Sequence, residues 1–444
     1  MIPHRMRQEF EFSSSGEFVR RVTYLENGAR FERRLLLMHN DAQAMDACSA
    51  FDQAFLRSSR TTFVQGQAAP SVRVVDLFSG CGGLSLGARE ACGAAGKRFE
   101  ARAALDTDVR CLAVYAKNLS CQNVIAKDIA DMIDGPMGAG PTEAERRFLR
   151  TCGPVDLLLA GPPCQGNSNL NNHTRRADTR NLLYERVARF VEIALPTHVL
   201  IENLPTVVHG KERALQRTLK LLEDLNYSVD FGIVDLAAIG VPQRRMRHVV
   251  VASQLEKIGI DDVVANHRVN TPRSVMWAIG DLRKEQRNGL FSSPSTLSFE
   301  NRQRIKYLHD KKLFDLPNAL RPVCHQNEEH SYRSMYGRLR PDEPAQTLTC
   351  GFASPGQGRY VHPSQRRTLT PHEAARLQFF PDFFDFSDVP SRKALAKMIG
   401  NAVPMKLSYV FCLEFLARSL IAPVRSRVVR SGSSNGRLGL NASG

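Results

Sequence analysis

The chain has 444 residues, 43% of them hydrophobic, which is enough to build a sizeable core in one large or two ordinary domains. Its formal net charge of +15 points to a polyanionic partner, and no apolar run approaches the roughly 18 uncharged residues of a membrane span, so no membrane partner is expected. The ten cysteines form no C-x-x-C pair and are not spaced with histidines as zinc ligands are, so neither a disulfide framework nor a bound metal is expected.

Residues 1–70 read as an N-terminal extension of unknown role, with a hairpin around Asn27-Gly28 and a helical stretch from about Asp41 to Leu56. The opening MIPHRMRQEFEF lacks the apolar core of a secretory signal, so a reducing, cytoplasmic setting is expected. From Val72 apolar strands alternate with helical stretches: VRVVDLF, FEARAALD, VDLLLAG, THVLIEN, YSVDFGIVD and RHVVVAS. That alternation predicts a doubly wound, Rossmann-like α/β domain over residues 71–270. After Ser253 the pattern becomes polar and basic as far as about Ser334, predicting a smaller, irregular domain over residues 271–385. A final helix, Arg392 to about Leu420, lies in a segment, 386–420, that completes the first domain. Residues 421–444 carry four arginines and no acid and read as a disordered basic tail.

The chemistry sits where strands end. In DLFSGCGGLSLGARE the first strand runs into Gly80, Gly82 and Gly83 and then opens a helix, a turn in which backbone can approach a ligand closely. Asp106 ends the second strand, where a carboxylate can accept from ribose hydroxyls. A nicotinamide dinucleotide and S-adenosylmethionine both fit these residues. Asp128 in KDI can serve an adenine amino group or simply a turn. In GPPCQGNSN the prolines Pro162 and Pro163 stiffen the turn that carries Cys164, so a thiol that could pass for a small buried hydrophobe is instead held at the ligand-binding edge of the sheet. THVLIENLP sets Glu202 and Asn203 at the next strand end. In VPQRRMRHVVVA, Arg245 and Arg247 alternate and so project to one side of an extended chain.

In the order DLFSGCGG, LDTD, KDI, GPPCQG, ENLP, QRRMR, RLRPDEPAQTLT and IGNAVP, the chain from about Val72 to Leu420 resembles the DNA cytosine-5 methyltransferases. The resemblance implies S-adenosylmethionine as cofactor, released as S-adenosylhomocysteine, and duplex DNA as substrate. Carried over onto matching positions, it puts Phe78 against adenine, Gly80 and Gly82 along the methionine moiety, Asp106 on the ribose and Asp128 on the adenine amino group, with Leu84 also in the cofactor site. Pro162, Asn401 and Val403 complete that pocket. It implies that Cys164 attacks carbon 6 of a flipped cytosine, that Glu202 holds or donates a proton at ring nitrogen 3, that Asn203 orients its loop, and that Arg245 and Arg247 stabilise developing charge.

Two departures stand out. After Pro-Cys-Gln the family usually reads Gly-Phe-Ser, whereas here Gly166 is followed by Asn167 and Ser168. The variable stretch expected to read the target, Arg283 to Arg333, is short for the family and carries Arg287, Arg302, Arg304, Lys306, Lys311 and Lys312 for phosphate contacts. An RNA cytosine-5 methyltransferase on the same scaffold shares the motifs, and a catalytically silent nucleic-acid-binding relative would have no need of Cys164, Glu202, Arg245 and Arg247. The expected enzyme acts as a monomer on double-stranded DNA, in restriction-modification or as a solitary methylase.

Overall fold

A computed structural model describes residues 6–12, 17–25, 28–36, 46–60, 69–163, 183–209, 213–284, 289–326 and 334–419. Its strands in chain order are β1 (Met6–Phe12), β2 (Glu17–Tyr24), β3 (Arg30–Leu36), β4 (Ser71–Leu77), β5 (Arg98–Asp106), β6 (Val124–Ala126), β7 (Leu157–Ala160), β8 (His198–Asn203), β9 (Ser228–Asp235), β10 (Gln243–Arg244), β11 (Met246–Ser253) and β12 (Ala345–Gln346). The central sheet has seven strands in the order β6-β5-β4-β7-β8-β11-β9. Its middle is buried on both faces, which is why β7, β8 and β11 read as near-continuous apolar runs: Leu157–Ala160, Val199–Ile201 and Val249–Ala252 are all buried.

The five strands β6, β5, β4, β7 and β8 pair in parallel, whereas β11 runs antiparallel to both β8 and β9. The α/β class read from the sequence holds, with a mixed rather than wholly parallel sheet. The reversal has a functional result. The carboxyl ends of the parallel strands share one edge of the sheet, through the pairs Leu77↔Leu105, Leu77↔Ala160 and Ala160↔Ile201. Because β11 is reversed, it contributes its beginning to that edge, so Arg247 arrives beside Glu202 rather than at the far end of the sheet.

The hairpin around Gly28 is present as the antiparallel pair β2–β3, and β1 joins β2 to make a three-stranded sheet. Asp46 caps the helix Ala47–Arg57 by accepting from the Ser49 amide. This N-terminal unit lies against the helix Met405–Ser419: Lys406 Nζ meets Asp52 Oδ1 at 2.6 Å, and the Arg20 guanidinium stacks over the rings of Phe51 and Tyr409 at 5.0 and 4.9 Å. Arg33 forms a buried ion pair with Glu90 of the helix Gly83–Ala94. The extension therefore braces the two helices that flank the glycine turn.

One sequence expectation needs correction. The final helix is two helices, Arg392–Asn401 and Met405–Ser419, interrupted at Ala402–Pro404. Pro404 has no N–H to continue the ladder and pushes Val403 out of the helical region. The break ends the first helix at Asn401 and leaves Val403 in the short connection between the two helices.

Candidate active site

The strand β4 ends in a tight turn. Phe78 and Gly80 adopt left-handed φ values of 58° and 52°, and the turn closes through Gly82 N–H donating to the Ser79 carbonyl at 3.0 Å. Asp106 pins this turn from the neighbouring strand. Its Oδ2 accepts from the Gly80 amide at 2.9 Å and its Oδ1 from the Asp108 amide at 2.8 Å. Each carboxylate oxygen keeps a lone pair for a second donor, as a ribose diol would require. A Cβ at Gly80 would meet nothing within 4 Å, so the turn opens onto space there. The helix Gly83–Ala94 starts from Gly82 with no side-chain cap, leaving first-turn amides for an anionic group. Asp128 follows β6 and caps the short helix Ile129–Met132, Oδ1 accepting from Ala130 N at 2.9 Å, with its side chain at the surface.

Behind the turn, Asp76 is fully buried, and its Oδ2 accepts from Ser85 Oγ at 2.6 Å; Ser85 Oγ is in turn 2.7 Å from Tyr115 OH. Burial pushes the Asp76 carboxyl up to about 7, against the Ser85 hydrogen bond and with the help of Asp106.

The second cluster gathers at Gly161. A Cβ built there would lie 3.8 Å from Glu202 Oε2, 3.9 Å from Leu84 Cδ1 and 4.0 Å from the Phe78 carbonyl oxygen. The glycine turn, the Pro-Pro turn and the strand-end acid thus face one small space, and Gly161 keeps it open. Glu202 Oε1 is 2.5 Å from Arg247 Nε, with both side chains buried. Asn203 Nδ2 donates to the Pro162 carbonyl at 3.4 Å while its Oδ1 accepts from Leu204 N at 2.7 Å, tying the loop after β8 to the loop after β7. Cys164 itself, with Asn167, Ser168 and Arg287, lies outside the described residues.

Arg245 and Arg247 are buried while Arg244 and Met246 are exposed, the alternation read from the sequence. Their surroundings differ. The Arg245 guanidinium sits among carbonyls, donating to Leu348 O at 2.8 Å, Ala402 O at 3.3 Å and Gly400 O at 3.5 Å. Burial, reinforced by Arg247, pushes its pKa down, and the carbonyl cage offsets that cost. Gln243 backs it up: Nε2 donates to Leu377 O and Gln378 Oε1, and Oε1 accepts from Leu348 N at 2.9 Å. QRRMR, QTLT and IGNAVP, far apart in sequence, are joined here.

Val403 lies on Gly83 closely enough that its carbonyl excludes any side chain at that position, and Ser408 Oγ donates to Leu84 O at 2.7 Å. Asn401 is exposed, and its Oδ1 accepts from the thiol of Cys350 at 2.8 Å. Cys350 escapes a motif-by-motif reading, because it follows QTLT directly and acquires meaning only through a residue distant in the chain.

Ile305, Leu308 and Leu316 of the expected recognition stretch form a small hydrophobic cluster with Met335, Tyr336 and Val361, which lie beyond it. Arg304 is engaged there, donating to Leu320 O at 3.0 Å and stacking 5.4 Å over Tyr336, and Lys306 pairs with Asp310 at 2.7 Å. Arg302, Lys311 and Lys312 are exposed.

Among the described residues no helix is long and apolar enough to cross a membrane. The sequence profile of the C-5 cytosine-specific DNA methylases matches residues 72–415. The chain is similar to the Type II methyltransferase M1.BsuMI of Bacillus subtilis (strain 168), 40% identical over 400 residues that cover 90% of this chain and 93% of the relative. It is also similar to the Type II methylase M.HgiDII of Herpetosiphon aurantiacus, 30% identical over 347 residues, 76% of this chain and 93% of the relative. In fold it resembles the crystal structure of the S. pombe Dnmt2 methyltransferase, with a TM-score of 0.56 and 20% identity, covering 79% of this chain and 100% of that one.

Proposed function

The chain belongs to the C-5 cytosine-specific DNA methylase family, and from that premise we propose that Cys164, Glu202 and Arg247 carry out the reaction on a flipped cytosine in duplex DNA. The enzyme methylates carbon 5 of cytosine in DNA and uses S-adenosylmethionine. The observation that carries the residue-level reading is the meeting of Phe78, Leu84 and Glu202 around Gly161, immediately before the Pro-Pro-Cys turn.

S-adenosylmethionine supplies an electrophilic methyl group on a sulfonium. The residues of the turn after β4 fit it: Asp106 would offer the ribose two carboxylate oxygens, the uncapped helix start would receive the methionine carboxylate, and Phe78 and Asp128 would hold the adenine, with Gly80, Gly82, Leu84, Pro162, Asn401 and Val403 completing the pocket.

Cytosine has no adequate nucleophile at carbon 5 until something adds at carbon 6. The Cys164 thiolate forms a bond to carbon 6 while Glu202 places a proton on nitrogen 3, so the ring's electron pair moves to carbon 5. Carbon 5 would take the methyl group as the sulfonium sulfur–methyl bond breaks, with S-adenosylhomocysteine as the leaving group. Loss of the carbon 5 proton to a base, rupture of the carbon 6–sulfur bond and return of the nitrogen 3 proton to Glu202 then restore the neutral aromatic ring, the thiolate and the acid. Arg247 holds the Glu202 carboxylate in place before the base arrives, and Asn203 fixes the spacing of the two loops. Arg245 acts at one remove, as the tie that holds the 400–402 segment against 348, rather than as a group touching the base.

A type II modification role follows the pattern of names among the similar relatives; we extend it to double-stranded DNA as substrate and a monomer as the acting form. We assign target reading to the segment Arg283 to Arg333. Methyl transfer from labelled cofactor to duplex DNA and to tRNA, followed by bisulfite mapping, tests this reading. Label entering DNA at one cytosine of a fixed sequence is expected, and label confined to tRNA would contradict it.

A second expected result concerns the pocket. S-adenosylmethionine should raise the melting temperature by several degrees at saturation, NAD should not, and Asp106→Ala should remove the shift, because a ligand that binds only the native state stabilises it by mass action. Differential scanning fluorimetry reads this directly. A shift with NAD alone would mean a different pocket.

A further inference from the structure

We propose that Cys350 is a positioning residue for the cofactor pocket, its thiol fixing the orientation of the Asn401 side-chain amide. The proposal rests on the reading that Asn401 belongs to that pocket. Three observations carry it. Cys350 Sγ lies 2.8 Å from Asn401 Oδ1 and 3.8 Å from the Lys397 carbonyl, at the end of the helix Arg392–Asn401. The backbone of Thr349 and Cys350 lies directly on Gly400, leaving no room for a side chain there, so the two segments are in register at this point. Arg245 clamps the same two segments on their buried side, from Leu348 O to Ala402 O.

The contact between 348–350 and 400–402 therefore has a buried tie and an outer tie. The outer one is the thiol, at the exposed edge. Burial by its neighbours raises the Cys350 pKa, which keeps it a protonated donor at neutral pH. An amide can present either its oxygen or its nitrogen. A donor fixed on Oδ1 decides the matter, committing the oxygen to sulfur and leaving the Nδ2 hydrogens as what Asn401 offers a ligand. Without the thiol, the exposed amide is free to rotate, and each binding event must restrict it again.

The test uses the full-length chain and steady-state methylation of duplex DNA. Cys350→Ala should raise the KM for S-adenosylmethionine about three- to tenfold, the range of one hydrogen bond, with kcat within about twofold of the parent. Cys350→Ser, which keeps a donor, should recover most of that loss. In the double variant with Asn401→Ala, the KM should be no worse than for Asn401→Ala alone. Should Asn401→Ala leave the KM unchanged, the pocket assignment itself fails. If Asn401→Ala raises the KM while Cys350→Ala does not, or if the two effects multiply, the positioning role is overturned. Where Cys350→Ala also lowers the melting temperature, Cys350→Ser decides: a near-parent KM supports the role, and an alanine-like KM in a folded serine variant overturns it.

Discussion

Glu202→Gln is expected to lower kcat by about 10²–10⁴-fold, the span that a positioned proton donor contributes, while leaving the affinity for S-adenosylmethionine close to that of the parent. The amide has nearly the same shape, so the strand end and the loop after it should persist. Two things change. The side chain can no longer pass a proton to nitrogen 3, so carbon 6 remains a poor electrophile and thiolate addition slows. Arg247, whose Nε lies 2.5 Å from Glu202 Oε1 in a buried setting, meets a neutral amide there in place of the carboxylate. The first effect falls on the chemical step, and the second falls on stability and should appear as a lower melting temperature. Single-turnover methylation with the cofactor pre-bound separates them. A rate within tenfold of the parent, in a folded protein, would move the proton source to another group.

The readability of this chain divides along physical lines. Strand ends that carry chemistry are marked by residues with backbone consequences: the glycines after Leu77, the prolines before Cys164 and the proline after Leu204 announce where the chain must turn at the sheet edge. Period two exposes Arg245 and Arg247 as a pair facing one way, and the burial pattern agrees. The alternation cannot say what they face. An arginine that meets a carboxylate and one that meets three carbonyls look alike in sequence, and here Arg247 does the first and Arg245 the second.

Elements too short or too irregular for a period stayed hidden. The strand β6 has three residues, of which none is fully buried, so no alternation could develop. The strand β1, MRQEFEF, is largely exposed on one side and has little apolar signal of its own; its partner β2 gives it meaning. The helix break at Pro404 was legible in principle, since a proline in a helical pattern ends the helix before it, but the apolar content on both sides reads as one continuous segment. Most of what holds the site together is long-range: Arg245 to Ala402 and Cys350 to Asn401 join residues with no local signature.

Cys164→Ser should abolish methylation to the limit of detection. A serine hydroxyl is far less ionised than a thiol at neutral pH and a weaker nucleophile toward an unsaturated carbon, so the addition that activates carbon 5 does not occur. Replacing sulfur by oxygen leaves the residues assigned to the cofactor pocket unchanged, so affinity for S-adenosylmethionine should be retained; DNA binding and base flipping should likewise persist. The loss then belongs to the chemical step alone. A serine variant that still methylates would require a route to carbon 5 without a sulfur adduct.

The most direct measurement uses duplex DNA in which the target cytosine is 5-fluorocytosine, with S-adenosylmethionine present. The thiolate can add to carbon 6 and carbon 5 can accept the methyl group, but the closing step needs loss of a proton from carbon 5, and fluorine cannot leave as one. The protein should remain bonded to DNA through denaturing electrophoresis, and mass spectrometry of the digested complex should place the bond on Cys164 in the peptide containing GPPCQGNSN. No adduct with the parent enzyme, an adduct on another cysteine, or an adduct formed by Cys164→Ser would contradict the account.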